Sequence, residues 1–135
     1  QKKFRVLKDS VAVGCGIWSE VTSFIDWLAK DEEGERPQLS ETSVVQFYPD
    51  NRIRVHESSG AFEYEGTMGA WGSGMPAALA ALQCGKTPGE AIAIASKVDI
   101  YTGEPIFEMV VADVIAEANA QRAEEVVEDE PEMAE

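Results

Sequence analysis

Residues 70–103 read AWGSGMPAALAALQCGKTPGEAIAIASKVDIYTG, and the punctuation of this stretch decides most of the fold. Gly72, Gly74 and Gly85 bracket an alanine-rich run. Pro76 falls where a first helical turn tolerates a missing N–H, and Gly85 falls where a helix stops. Thr87-Pro88-Gly89-Glu90 has the form of a capping box, with a hydroxyl at the N-cap, proline at the first helical position and a carboxylate three residues on. It opens AIAIASKV. Two short helices in tandem are therefore predicted, entered from a glycine-rich loop and left through Asp99-Ile100-Tyr101-Thr102-Gly103.

On the C-terminal side, DIYTGEPIFEMVV reads as a turn followed by a strand, and Ala112 to Ala123 as a final helix of good helix formers. On the N-terminal side lie three β-type runs, Thr42 to Tyr48, Arg52 to His56 and Ala61 to Glu65. Pro49-Asp50-Asn51 and Ser58-Ser59-Gly60 separate them with turn chemistry, so an antiparallel meander is predicted. Before them, Ile17, Trp18, Val21, Phe24, Ile25 and Leu28 recur at helical spacing, giving an amphipathic helix that ends near Lys30. A polar loop, residues 31–41, follows it. Residues 3–15 form two short β-prone runs broken at Lys8-Asp9-Ser10, a hairpin signal. Strands group with strands and helices with helices, which indicates an α+β domain rather than a parallel βαβ fold.

The 135 residues suit a single domain, residues 1–123, and 44% hydrophobic with 27% charged residues is globular composition. No apolar run is long enough to cross a bilayer. The formal net charge of −14 repels phosphate backbones and anionic membrane surfaces, so neither nucleic acid nor membrane is an expected partner. From Glu124 the sequence EEVVEDEPEMAE carries seven carboxylates and little to bury, and residues 124–135 are read as a disordered acidic tail. Cys15, Cys84 and the single His56 make no metal-ligand spacing, and two cysteines are too few for a disulfide scaffold. A reducing cytoplasm, with no metal and no cofactor, is the expectation.

Singly, the chemistry-bearing residues are weak signals. His56 reads as a surface residue of a polar strand, and Trp18, Trp27 and Trp71 as packing residues. Gly72-Ser73-Gly74 lacks the flanking pattern of a nucleophile elbow. Cys15, between two glycines, reads as a small thiol at a tight strand end rather than a nucleophile.

In order, the same motifs resemble a known family. Lys3 in a strand, Gly14-Cys15-Gly16 before an amphipathic helix, Gly72-Ser73-Gly74 before an alanine-rich helix, and Asp99-Ile100-Tyr101-Thr102-Gly103 after the next helix are similar to the succession in proteasome β-subunits. HslV-type peptidases and their phage-encoded versions are nearest in pattern. The resemblance spans residues 2–109, and its specificity lies in the order and spacing of the four motifs.

The resemblance implies an N-terminal nucleophile hydrolase: an αββα sandwich of antiparallel sheets flanked by helices, assembled into a homo-oligomeric ring around a proteolytic chamber. Its substrate would be a peptide or unfolded protein, and a partner ATPase belongs to the same expectation. In that family a terminal threonine attacks the peptide carbonyl with its own α-amine as base; an α-amine titrates near 8, so no histidine is needed. Lys3, or Lys2 after a one-residue slip, matches the lysine that lowers the nucleophile's pKa. Ser73 matches a serine near the terminal amine. Asp99 and Thr102 match the pair that orients the amine and the lysine. Gly14, Cys15 and Gly16 match the turn that lines the substrate channel, with Gly16 N–H toward the oxyanion.

The departure is at the start. With Gln1 first, the segment carrying the family's threonine, and the first hairpin with it, has no counterpart, so the chain is expected to be inactive as it stands. It is then either a piece of a longer threonine-type peptidase or a non-catalytic, phage-associated scaffold or interaction protein. A third reading is an unrelated α+β domain whose glycine turns imitate the motifs.

Overall fold

The computed structural model describes residues 4–66, 68–99, 101–102 and 106–129. The chain divides into two compact units, Gln1–Tyr64 with Val110–Glu135, and Glu65–Met109. The class is α+β: among the described residues there is one open antiparallel sheet of five strands, and four helices. No helix among them is long and apolar enough to cross a membrane.

The first unit is built on the sheet, whose spatial order β1-β2-β3-β4-β5 is also the chain order. Strands β1 (Phe4–Val6) and β2 (Val11–Cys15) form the hairpin foreseen around Lys8-Asp9-Ser10, with Val6 opposite Val11 and Phe4 opposite Val13. Strands β3 (Ser43–Phe47), β4 (Arg52–Glu57) and β5 (Gly60–Glu65) make the meander. Asn51 takes a positive φ of 68° in the β3–β4 turn, which Asn tolerates better than most residues.

Between β2 and β3 the chain makes an excursion through helix α1 (Trp18–Ala29) and returns beside its starting point, with Cys15 opposite Ser43. A hydrogen bond from Ile17 N to Thr42 Oγ1, 2.9 Å, closes the neck of the excursion. Helix α1 lays Val21, Phe24, Ile25 and Leu28 on the sheet, while Ile17 and Trp18, read from the periodicity as part of the stripe, remain exposed. With Leu7, Ala12, Leu39 and Val44 the stripe forms the main core, and Trp27 packs against it. Each fully buried side chain of this size contributes roughly 2 kcal/mol, so the stripe dominates the helix's attachment. Glu20 secures the returning loop: its carboxylate accepts from Ser40 Oγ at 2.8 Å and from Ser40 N at 3.1 Å. Those bonds, and one from Thr42, hold its pKa below the ordinary carboxylate value, the Thr42 bond most strongly.

His56 corrects its reading as a surface residue. It is 1% exposed, packed at 4.9 Å from the Phe24 ring, and its Nε2 lies 2.7 Å from Gln46 Oε1. Gln46 in turn donates from Nε2 to Ser10 Oγ at 3.0 Å, a buried polar chain from the β1–β2 turn through β3 to β4. With the Gln46 nitrogen turned to Ser10, its oxygen faces His56, and because an amide oxygen only accepts, the imidazole is the Nε2–H tautomer. Arg52, Arg54 and His56 share one face of β4, but the helix covers only the His56 end of it.

The C-terminal part differs from expectation in two places. The strand expected in DIYTGEPIFEMVV is not formed in that segment's described residues 106–110. Strand propensity is realised only against a partner, and no described strand pairs there. Helix α4 (Val111–Asp129) begins where helix formers do but runs past Glu124, where the disordered tail was placed. Glutamate is a good helix former, so a polar composition with little to bury still sustains a helix. Residues 130–135 lie outside the described residues.

In the second unit, α2 (Met75–Gln83) and α3 (Pro88–Val98) are the tandem helices of the opening stretch, packed together, with Ala81, Ala91 and Ala95 buried. The capping box is complete: Glu90 N donates to Thr87 Oγ1 at 3.2 Å, and Thr87 N to Glu90 Oε1 at 2.9 Å. Gly85 takes φ 85° just after α2, as a helix-ending glycine does.

Candidate functional site

The second unit brings Ser73, Asp99 and Thr102 into contact. Asp99 ends α3 in an extended conformation while its N–H still donates to Ala95 O at 2.8 Å. Its own carbonyl accepts Thr102 N at 3.1 Å, closing a four-residue turn, and its Oδ1 accepts Tyr101 N at 3.2 Å. The other carboxylate oxygen, Oδ2, accepts two hydroxyls, Ser73 Oγ at 2.6 Å and Thr102 Oγ1 at 2.8 Å. The helix end therefore sets the carboxylate, the turn sets Thr102, and the loop before α2 supplies Ser73.

These bonds stabilise the ionised form. The Asp99 pKa is held below the ordinary aspartate value, first by Ser73, then by Thr102 and the Tyr101 N–H, against a smaller opposing effect of burial. Asp99 is thus a fixed negative charge near neutral pH and a poor proton carrier. Each hydroxyl spends its one hydrogen on Oδ2 and turns its lone pairs outward. The cluster consequently offers acceptors and a negative charge, an arrangement suited to hold and orient an amine or ammonium group. The same bonds also tie the end of α3 to the loop before α2.

Gly74, in the sequence one glycine of a glycine-rich entry to α2, has a steric role. A Cβ there would collide with Thr102 Oγ1 and lie 3.3 Å from the Ala95 Cβ. Its φ is ordinary, so close approach rather than conformation selects glycine. The backbone of Tyr101, whose side chain is exposed, is the other participant that motif reading passed over.

Gly14, Cys15 and Gly16 belong to the first unit, at the end of β2. A Cβ on Gly14 would collide with Val21 of α1. Gly16 has φ 125°, and a Cβ there would lie 2.6 Å from Glu41 O. Both glycines thus have packing reasons, the seating of α1 and the neck of its excursion. Cys15 is half-buried, and neither it nor Cys84 forms a disulfide. Lys3, matched by the resemblance to the pKa-lowering lysine, lies outside the described residues, as does Lys2.

No protein-family model matches the chain, and no curated protein matches it. Among the described residues no three His, Cys, Asp or Glu side chains converge as metal ligands.

Proposed function

We propose that the chain is a subunit of a proteasome-like, HslV-type threonine peptidase, and that the Asp99 cluster orients the α-amine of the terminal nucleophile. The observation that carries this reading is the pair of hydroxyls, Ser73 and Thr102, both donating to one oxygen of Asp99. Three residues from two separate motifs meet in the form an amine-orienting site requires. In the proposed mechanism the amine, held through the outward lone pairs of Ser73 and Thr102, takes the hydroxyl proton of the threonine as it attacks a peptide carbonyl. The negative charge of Asp99 favours the ammonium that then forms. The family resemblance adds the roles expected of Lys3, which would lower the cost of the developing alkoxide, and of the Gly14-to-Gly16 turn, which would border the peptide. The complete fold in this reading is the αββα sandwich, assembled as a cytoplasmic homo-oligomeric ring that admits unfolded polypeptide, with a partner ATPase to deliver it.

The test is the intact mass and N-terminal sequence of the product made from the complete gene, with hydrolysis of a fluorogenic peptide. The expected product starts with threonine and cleaves the peptide, and Asp99→Asn or Lys3→Ala each abolishes cleavage while ring assembly persists. A mature product that begins at Gln1 and hydrolyses nothing would refute the reading and leave a non-catalytic scaffold. Unchanged turnover in either variant would refute the site.

A further inference from the structure

The first unit contains a cleft of about 280 Å³ at the C-terminal end of α1, and its cations are arranged by the sheet. The cross-strand partners Arg5, Ala12, Gln46 and Arg54 form one rung over β1, β2, β3 and β4. Residues in such a rung point to one face, so the two arginines flank Ala12 and Gln46 from strands roughly 14 Å apart. Helix α4 adds Arg122, and the hairpin turn adds Lys8, to the same cleft. In a chain of net charge −14, four of the eleven Lys and Arg residues line one small cavity.

Most of these cations are matched. Arg5 pairs with Asp26 at 2.6 Å, Lys8 with Asp31 at 2.7 Å, and Arg54 with Glu32 at 3.3 Å, the longest of the three. Arg122 is different. It donates to Asn119 Oδ1 at 2.7 Å and to Val6 O at 2.9 Å, both neutral acceptors, and pairs with no carboxylate among the described residues. A guanidinium has five N–H groups, so donors remain after those two bonds. Asp31 and Glu32 adopt left-handed φ values of 56° and 59°, costly for non-glycine residues. That geometry gives Asp31 N to Leu28 O at 3.1 Å and Glu32 N to Trp27 O at 3.0 Å, which cap carbonyls at the end of α1. The partial negative charge of the helix end is thereby muted where an anion would approach.

We propose that this cleft binds a small oxyanion, a carboxylate or phosphate group, held by Arg122 and Arg54 with Arg5 and the Tyr48 hydroxyl at its border. Arg122 supplies a guanidinium that makes no ion pair among the described residues, and the Arg54–Glu32 pair, the longest of the three, yields donors at least cost. Asp9, Asp31 and Glu32 line the same cleft and limit the ligand's size and charge. The proposal does not rest on the peptidase reading.

Inorganic phosphate and, separately, succinate are titrated into the full chain at constant ionic strength while backbone and arginine side-chain NMR shifts are followed. The expected result is a saturable shift at Arg5, Tyr48, Arg54 and Arg122 with at least one of the two. Saturation by phosphate alone identifies a phosphate site, and saturation by succinate a carboxylate site. Arg122→Gln is expected to weaken binding about tenfold, as loss of a charge-assisted contact does, and Arg54→Gln likewise. Lys97→Gln, on α3 of the second unit and outside the cleft lining, leaves it unchanged. A response that is linear for both anions, or equal affinity in folded Arg122→Gln and Arg54→Gln proteins, overturns the proposal.

Discussion

Lowering the pH from 7 to 4.5 is expected to unload stability through one residue, His56. Burial, chiefly, and the nearby charges of Arg54 and Arg36 push its pKa down from 6.5 to about 4. Above pH 6.5 the imidazole is neutral in both folded and unfolded chains and its titration costs nothing. Below that, the unfolded chain takes up a proton that the folded chain refuses, so folding stability falls as pH falls, down to the folded pKa. A gap of about 2.5 pH units at about 1.4 kcal/mol per unit amounts to about 3 kcal/mol at pH 4, a large share of a small domain's stability. Urea unfolding followed by tryptophan fluorescence at pH 7, 6, 5 and 4.5 measures it. His56→Leu alone would strand the Gln46 amide, so the reference is the double variant Gln46→Leu with His56→Leu, which removes that donor and acceptor together and leaves Ser10 Oγ its bond to Asp9 Oδ1. The wild type is expected to lose stability over this range far more steeply than the double variant. Equal slopes, or a wild-type stability flat from pH 6.5 to 4.5, would refute the argument that a buried, neutral imidazole holds this face of the sheet.

Two further outcomes follow from contacts in the two units. Gly14→Ala forces a Cβ into Val21 and should destabilise the chain by about 1–3 kcal/mol, read as a lower urea midpoint, with α1 amides the most exposed to hydrogen exchange. Thr87→Ala removes half of the capping box and should cost about 1 kcal/mol, with loss of protection concentrated in the first turn of α3; an unchanged midpoint would count against the cap.

Legibility followed locality. The α1 stripe from Val21 to Leu28, the meander turns and the Thr87–Glu90 cap were readable because each depends on residues within a turn or two of one another. His56 was misread because its burial depends on where α1 lies over the sheet, and the flanking Arg52 and Arg54 gave the strand a polar face. The 106–110 run has strand composition, but composition does not supply a partner edge. At the candidate site, Ser73, Asp99 and Thr102 were named from motif order alone. The steric role of Gly74 was invisible until Thr102 was seen against it. Conversely, Gly14 and Gly16 were named for substrate, and their local packing accounts for their being glycine.

The order of the sheet has a consequence for synthesis. Every strand neighbours its predecessor, so each pairing closes soon after both strands leave the ribosome, and the sheet with α1 can assemble early from short-range contacts. Helix α4 does not share that timing. Its bonds from Asn119 to Lys8 O and from Arg122 to Val6 O span 111 and 116 residues, so β1 waits for that much further chain before it is fastened. Until then the hairpin's outer edge is an open template, and a pause in translation after β5 would prolong the interval in which two nascent chains can pair there.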